Sequence, residues 1–370
     1  MLSLIKSFTI HPMFHKSSIS FCAFVLSLIA FIASDVAAED KVTSNKDHLI
    51  FHPQGEINGK HIVLIAGDEE YRSEEAMPMM GEVLARHGFK CTVLFSMGND
   101  GKTIDPNKQT SLSYPEALNS ADMVFLNIRF RNWPDETMAK FQATLERGVA
   151  VMALRTSTHA FKIGGKSKYA QYGTGYKGKE WQGGFGREVL GETWVNHHGH
   201  HAFEGCRARV ETGQENSPIM KGVGEIFVTS DVYGANPKQP STILMRGNVT
   251  KTLKPESEEI KAKNNPAQPV VWTREYSWPN GNTNKVLTTT MGAGIDLVDD
   301  NLRLLLVNAA HERLGLPVPN KADASLPAGY KPSFYKVGKY RKGCTPEDFI
   351  SGGKAHQMPA YPIPDRSAKK

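Results

Sequence analysis

Hydrophobic residues along the chain fall into short runs at two distinct spacings. His61-Ile-Val-Leu-Ile-Ala66 is an unbroken, β-branched run ending on Gly67. Such a run predicts a strand buried on both faces, as in parallel sheets. After Asp68-Glu-Glu-Tyr-Arg72 the spacing changes, and Met77, Met80, Val83 and Leu84 recur at helical intervals. This predicts a helix capped by Ser73, with Glu74 and Glu75 in its first turn and His87-Gly88 as its stop. The alternation then repeats. Cys91–Phe95, Ala121–Asn127 and Val149–Leu154 read as strands, and Pro134 to Gly148 reads as a helix. Four strands alternating with helices predict right-handed βαβ units and an α/β fold with an open, doubly wound, mostly parallel sheet.

Beyond residue 160 the pattern loosens. Lys162–Gly186 is rich in Gly, Lys and Tyr and predicts a long loop, at the surface or over a site. Apolar runs return at Thr242–Met245, Pro269–Trp272 and Val286–Thr290, with a polar excursion at Lys251–Pro266. Asn301–Gly315 carries Leu302, Leu305, Leu306, Ala309 and Leu314 on one helical side. From Pro317 the composition predicts an extended arm that frays beyond about residue 355. No internal repeat is present.

The N-terminus has a different pattern. Lys6, His11, His15 and Lys16 precede an apolar run from Phe21 to Ile32, and Val36-Ala37-Ala38 offers a small-residue cleavage site. Residues 1–38 therefore read as a signal peptide, which implies a periplasmic or secreted protein with no stable membrane span after cleavage. The expected plan is a signal peptide over 1–38, an N-terminal extension over 39–59, an α/β domain over 60–316 and a partly disordered arm over 317–370.

Composition narrows the function classes. The chain has 370 residues, 40% hydrophobic and 22% charged, the balance of an ordinary globular protein. Its net charge of +6 is mild, and no Lys/Arg stretch is interleaved with aromatics in the manner of a nucleic-acid surface. Cys91, Cys206 and Cys344 are too widely spaced for a disulfide framework or a CxxC metal knuckle. There is no GxSxG elbow, HExxH helix or P-loop, and Gly164-Gly165 and Gly183-Gly184 do not follow strands. A nucleotide cofactor is accordingly not expected.

In an open parallel sheet, ligands sit over the carboxyl ends of the strands. Two loops there carry reactive groups. The first, Gly67 to Arg72, supplies Glu70, Tyr71 and Arg72 as substrate-binding candidates, although its carboxylates would also suit the helix dipole. The second, Arg155-Thr-Ser-Thr-His159, supplies Arg155 and Thr156 for binding and His159 as acid, base or ligand, unless that ring is simply buried. The densest feature is Trp194-Val-Asn-His-His-Gly-His-His201. His197, His198, His200 and His201 suit a divalent metal such as zinc, with His197 paired to His201 or His198 to His200. Asp231 or His311 would complete such a site. In an acid–base reading, His159, His198 and Asp231 are the catalytic candidates, with Trp194 and Tyr233 at the substrate.

Five segments, Val63 to Glu75, Leu154 to Phe161, Trp194 to His201, Ser230 to Tyr233 and Thr288 to Gly292, together resemble exported ThuA-like proteins. These form the trehalose-utilisation family, here in its planctomycete type. The resemblance runs from about residue 60 to 345. It implies the class I glutamine amidotransferase-like fold, flavodoxin-like in its winding, with long loop insertions. It also implies carbohydrate utilisation, on keto-sugars or disaccharides. The family lacks the amidotransferase cysteine, and Thr156 to Thr158 stand at that turn here, so glutamine hydrolysis is not carried over. More typical members have a Gly-His pair where this chain has Gly292-Ala293, which removes a side-chain role there. The expected function is His-based or metal-assisted hydrolysis or isomerisation of a small carbohydrate. The alternatives are a non-catalytic carbohydrate-binding protein, with Tyr169, Tyr172, Tyr176 and Trp181 lining a groove, and a scaffold with no cleft.

Overall fold

The structure, a computed structural model, describes residues 41–365; the predicted signal peptide over 1–38 lies outside them. The first described elements are two strands, Val42–Ser44 (β1) and His48–Phe51 (β2). The strand expected at 61 follows as His61–Gly67 (β3), every residue buried, then Ser73–Ala85 (α1) and Lys90–Phe95 (β4). Met123–Ile128 (β5), Asp135–Glu146 (α2) and Ala150–Leu154 (β6) continue the alternation. The second half adds Cys206–Val210 (β7), Ile226–Val228 (β8), Thr242–Val249 (β9), Gln268–Ser277 (β10), Thr283–Thr289 (β11) and Asp300–Arg313 (α3).

All eleven strands form one sheet, in the order β1-β2-β4-β3-β5-β6-β11-β10-β9-β7-β8. The sheet is mixed. β4, β3, β5, β6 and β11 are mutually parallel and make its centre. Both flanks are antiparallel, β1 and β2 on one side and β10, β9, β7 and β8 on the other. Taken by themselves, the five parallel strands follow the order 2-1-3-4-5, which reverses between β3 and β5.

Alternating side chains of the central strands feed two cores. Ile62, Leu64 and Ala66 pack with Met77, Met80 and Leu84 of α1 and with Leu302, Leu305 and Leu306 of α3. Val63 and Ile65 pack on the other face with Met138, Phe141 and Leu145 of α2. Tyr169, Tyr172 and Phe185 of the long loop join this second core. Of the four rings expected to line a binding groove, Tyr169 and Tyr172 are buried in this core, Tyr172 packing on Phe185 and Trp181 on Tyr172.

Three local expectations are corrected. Ser73 is the first helical residue rather than the cap. Arg72 holds the cap position in the left-handed region, at φ 63°, while Ser73 Oγ accepts the Asp68 N–H at 2.8 Å. Glu74 and Glu75 are buried rather than merely facing the helix dipole, and Arg341 Nε meets Glu75 Oε1 at 2.7 Å. The arm is held beyond residue 355, because Arg341 donates to the Met358 and Pro359 carbonyls and Phe334 N–H to that of Tyr361. Arm and body are joined by charge as much as by apolar packing.

His311, the alternative metal donor, lies on α3 against Phe89 and His87, remote from the histidine cluster. Burial, then the neighbouring His87, pushes its pKa down to about 4. The unfolded imidazole takes up its proton near pH 6.5 and the folded one only near 4. Stability from this group is thus present above 6.5 and lost as pH falls toward 4. We expect His311→Phe to gain roughly 3 kcal/mol over wild type across that interval, read from urea unfolding at a series of pH values. Glu74, whose carboxyl burial lifts to about 7, acts in the opposite sense. The difference between variant and wild type, rather than either curve alone, therefore isolates the imidazole. A constant difference would refute this account of His311.

Candidate functional site

Four loops leave the carboxyl ends of β3, β5, β6 and β11, and backbone strain concentrates there. Arg72, Phe130 and Arg155 take φ of 63°, 49° and 37°, conformations that side-chain-bearing residues adopt only when their surroundings enforce them. The segment after β8 completes the site. Ser230 Oγ donates to Asp296 Oδ2 at 2.5 Å, and the same carboxylate accepts the Gly292 and Ala293 N–H groups. One buried acid therefore locks the turn after β11 to the segment that presents Asp231. Gly292 is required in that turn: its φ is 125°, and a Cβ there would stand 2.8 Å from Leu154 Cβ.

The histidine run is shaped by pairing, not by helical spacing. His197 bridges to Tyr233 in antiparallel fashion, and the His198 and Gly199 N–H groups both donate to the Val232 carbonyl. This register lays His197 beside Asp231. Ala202, at φ 58°, bends the chain immediately after His201, which turns back to the same carboxylate.

Asp231 is the hub. Its side chain is fully buried, and Arg155, equally buried, donates to Oδ1 at 2.7 Å. His197 Nδ1 stands 2.6 Å from Oδ2 and His201 Nδ1 3.2 Å from Oδ1. Burial opposes its ionisation, but Arg155 and the two imidazoles outweigh burial and hold the carboxyl well below the usual range. Arg155 lies between the rings of Tyr71 and Tyr233, 4.3 and 4.2 Å from their centroids, and also donates to the Tyr71 hydroxyl and the Thr290 carbonyl.

His201 spans two acids. Its Nε2 is 3.1 Å from Glu70 Oε1, opposite the Nδ1 contact with Asp231. Burial disfavours its charged form, yet hydrogen bonds to Asp231 and Glu70 prevail and raise its pKa to about 9. It is therefore an imidazolium at neutral pH. His197 differs. Its Nδ1 faces the Asp231 carboxylate, and its Nε2 meets no polar partner among the described residues, on a side chain that is 35% exposed.

The remaining candidates divide clearly. His159 is on the same side as the cluster, its ring 5.8 Å from Trp194 and 6.4 Å from Tyr233, but it does not bond to Asp231. Burial, then the charges of Arg129 and Arg155, keeps it neutral. Trp194 is exposed at the mouth, 5.6 Å from the His197 ring. Glu70, Tyr71 and Tyr233 line the cluster. Two histidines leave it, contrary to the reading that grouped all four. His198 Nε2 is tied to the Lys263 carbonyl at 2.7 Å, so it is no partner of Asp231. His200 stacks on Phe203 at 4.2 Å and faces a separate cavity of about 550 Å³ with Leu253 and Ile363. Arg72 and Thr156 are buried behind the site. The first donates to the Phe334 carbonyl at 3.2 Å and the second to Asp68.

No family model matches the chain, and no curated protein matches it. Among solved structures, the crystal structure of a protein from Parabacteroides merdae ATCC 43184 described as ThuA-like is similar to it. The identity is 16% and the TM-score 0.43, with 72% of this chain and 92% of that chain covered.

His197, His201 and Asp231 each offer one ligand atom, all within 4.8 Å of one another. The donor types fit a divalent ion, and Glu70 behind His201 is the outer partner that a metal-bound imidazole usually has. The spacing is tighter than an ion requires. Ligands about 2.1 Å from a tetrahedral ion stand about 3.4 Å apart, whereas His197 and Asp231 are 2.6 Å apart. As it stands, this pair shares a proton.

Some site residues carried no weight in the sequence reading. Arg129, at the end of β5, reaches Glu69 at 2.9 Å and Glu70 at 3.4 Å. Arg131 meets Glu69 at 3.2 Å. The rule that singled out the loops after β3 and β6, that ligands gather past strand ends, would have pointed to them also. Tyr335 of the arm packs 4.8 Å from Tyr71 and 5.5 Å from His201. No local pattern foretells that contact.

Proposed function

We propose that this protein is an exported, ThuA-like carbohydrate-processing enzyme in which His197 acts as general base on a keto-sugar or disaccharide. The observation that carries the chemistry is the His197–Asp231 pair, an imidazole oriented through Nδ1 by a buried carboxylate and open at Nε2. A base so held takes a proton from water or from a carbon next to a sugar carbonyl, then returns it as an acid. Hydrolysis needs the first and isomerisation the second. Arg155 keeps Asp231 ionised, and this fixes the tautomer of His197. Trp194 offers an exposed aromatic face for a sugar ring beside that base. The neutral ring of His159 flanks the same mouth.

The carbohydrate class is supported by the motifs resembling ThuA-like proteins, and the parallel strand order 2-1-3-4-5 supports a flavodoxin-like winding. The signal-peptide pattern over residues 1–38 supports a periplasmic or secreted location. A second reading is favoured by the donor set of His197, His201 and Asp231. With zinc bound there, the ion would polarise a carbonyl or activate water.

The test is a screen of oxidised disaccharides by proton NMR, beside elemental analysis of the purified protein. We expect turnover that His197→Asn lowers by about 10²–10⁴-fold with the fold intact. Unchanged turnover in His197→Asn removes the assignment. Zinc at one ion per chain would instead favour the metal-assisted route.

A further inference from the structure

Between Phe161 and Glu180 the chain carries Lys162, Lys166, Lys168, Lys177 and Lys179 and no acidic residue. All five are exposed, and none forms an ion pair among the described residues. Other basic side chains do have local partners: Arg209 meets Glu225 and Glu259, Lys238 meets Glu188, and Lys251 meets Glu258. What distinguishes this loop is density: five unpaired lysines within eighteen residues, before Glu180.

The loop is fastened to the mouth of the site at two points. The Thr174 N–H donates to the Phe161 carbonyl at 2.9 Å, and Thr174 Oγ1 lies 2.8 Å from Thr193 Oγ1, next to Trp194. Lys162 Nζ stands 6.0 Å from the ring of Phe130, and that ring is 5.0 Å from His159. Tyr169 and Tyr172 are sunk in the core beneath. Lys162 thus stands beside the candidate site, and the other four lysines continue the charge along the loop. Lys168 lies over the ring of Tyr169 at 5.1 Å, and Lys179 is two positions before Trp181, which packs on Tyr276 and Trp278. Gly164, Gly165 and Gly175 have open space around them.

We propose that this loop is a docking rim for an anionic glycan, one bearing uronate carboxylates or sulfate groups, and that it holds such a chain against the site. The inference rests on reading the site as carbohydrate-processing. Neutral sugars offer ammonium groups no counter-charge. Carboxylates or sulfates repeated along a chain do, and they relieve the mutual repulsion of the five lysines. Compact charges on flexible stems suit anions of variable position better than bidentate arginines would.

The test is calorimetry of the full chain with an oligogalacturonate, a heparin-type sulfated oligosaccharide and a dextran of equal length. We expect at least one acidic chain to bind about tenfold or more tightly than dextran, and to weaken as salt is raised. Its identity tells carboxylate from sulfate. Replacing all five loop lysines by Gln should cost about tenfold or more in that binding. Replacing Lys102, Lys261, Lys285, Lys321 and Lys339 should cost far less. Equal binding of dextran, equal loss in the control variant, or equally tight binding of a DNA duplex would overturn the proposal. Acidic-glycan binding without turnover of any sugar overturns the reading of the site but not of the rim. Turnover of a neutral keto-sugar without such binding does the reverse.

Discussion

Asp231→Asn is expected to destabilise the protein by about 3–5 kcal/mol, the cost of leaving a buried charge without its partner. Asparagine preserves the shape but not the charge, and Arg155 is wholly buried with Asp231 as its only carboxylate contact among the described residues. Its other bonds go to carbonyls and to the Tyr71 hydroxyl, which orient a guanidinium without neutralising it. Urea unfolding at pH 7 measures the loss. The double variant Arg155→Met with Asp231→Leu should recover part of it, since the buried charge then goes with its partner. A loss below about 1 kcal/mol for the single variant would mean that Arg155 is not held by this carboxylate. Turnover should fall too, because the amide no longer dictates which nitrogen of His197 carries the proton.

Arg341→Met should have an effect of similar size by a different route. It leaves Glu75 buried without its cation and cuts the ties from Arg341 to the Met358, Pro359 and Lys331 carbonyls. We expect about 3–5 kcal/mol of lost stability at pH 7. The loss should shrink in acid, because burial already raises the Glu75 carboxyl and Arg341 is the foremost group opposing it. The arm should also become open to protease between residues 331 and 361. With it goes Tyr335, whose hydroxyl donates to the Thr229 carbonyl at 2.8 Å and whose ring covers Tyr71 and His201. Limited proteolysis with mass spectrometry reads the release. An uncut arm in a destabilised variant would show that the ion pair stabilises the body without fastening the arm.

The parallel centre of the sheet was legible because its signals are local. A continuous apolar run such as 61–67 suits only a strand covered on both faces, and the period of Met77, Met80, Val83 and Leu84 suits only a helix against it. The antiparallel flanks were less legible. β7 and β8 are short and partly exposed, so their patterning is weak.

For the site, residue chemistry by itself marked Trp194–His201 as a ligand-type cluster and offered Asp231 or His311 as its partner; the structure puts Asp231 there. It could not say which imidazoles face the acid, because His197 to His201 do not follow a helix or a strand. Their directions come from pairing with Val232 and Tyr233 and from the bend at Ala202. Only the tertiary structure placed His198 on the Lys263 carbonyl and His200 on Phe203. It alone brought Arg341 to Glu75, 266 positions away in the chain. The reason is physical. Periodicity reports how a segment partitions between water and core, whereas a charge in the interior is set by partners that the backbone delivers from a distance.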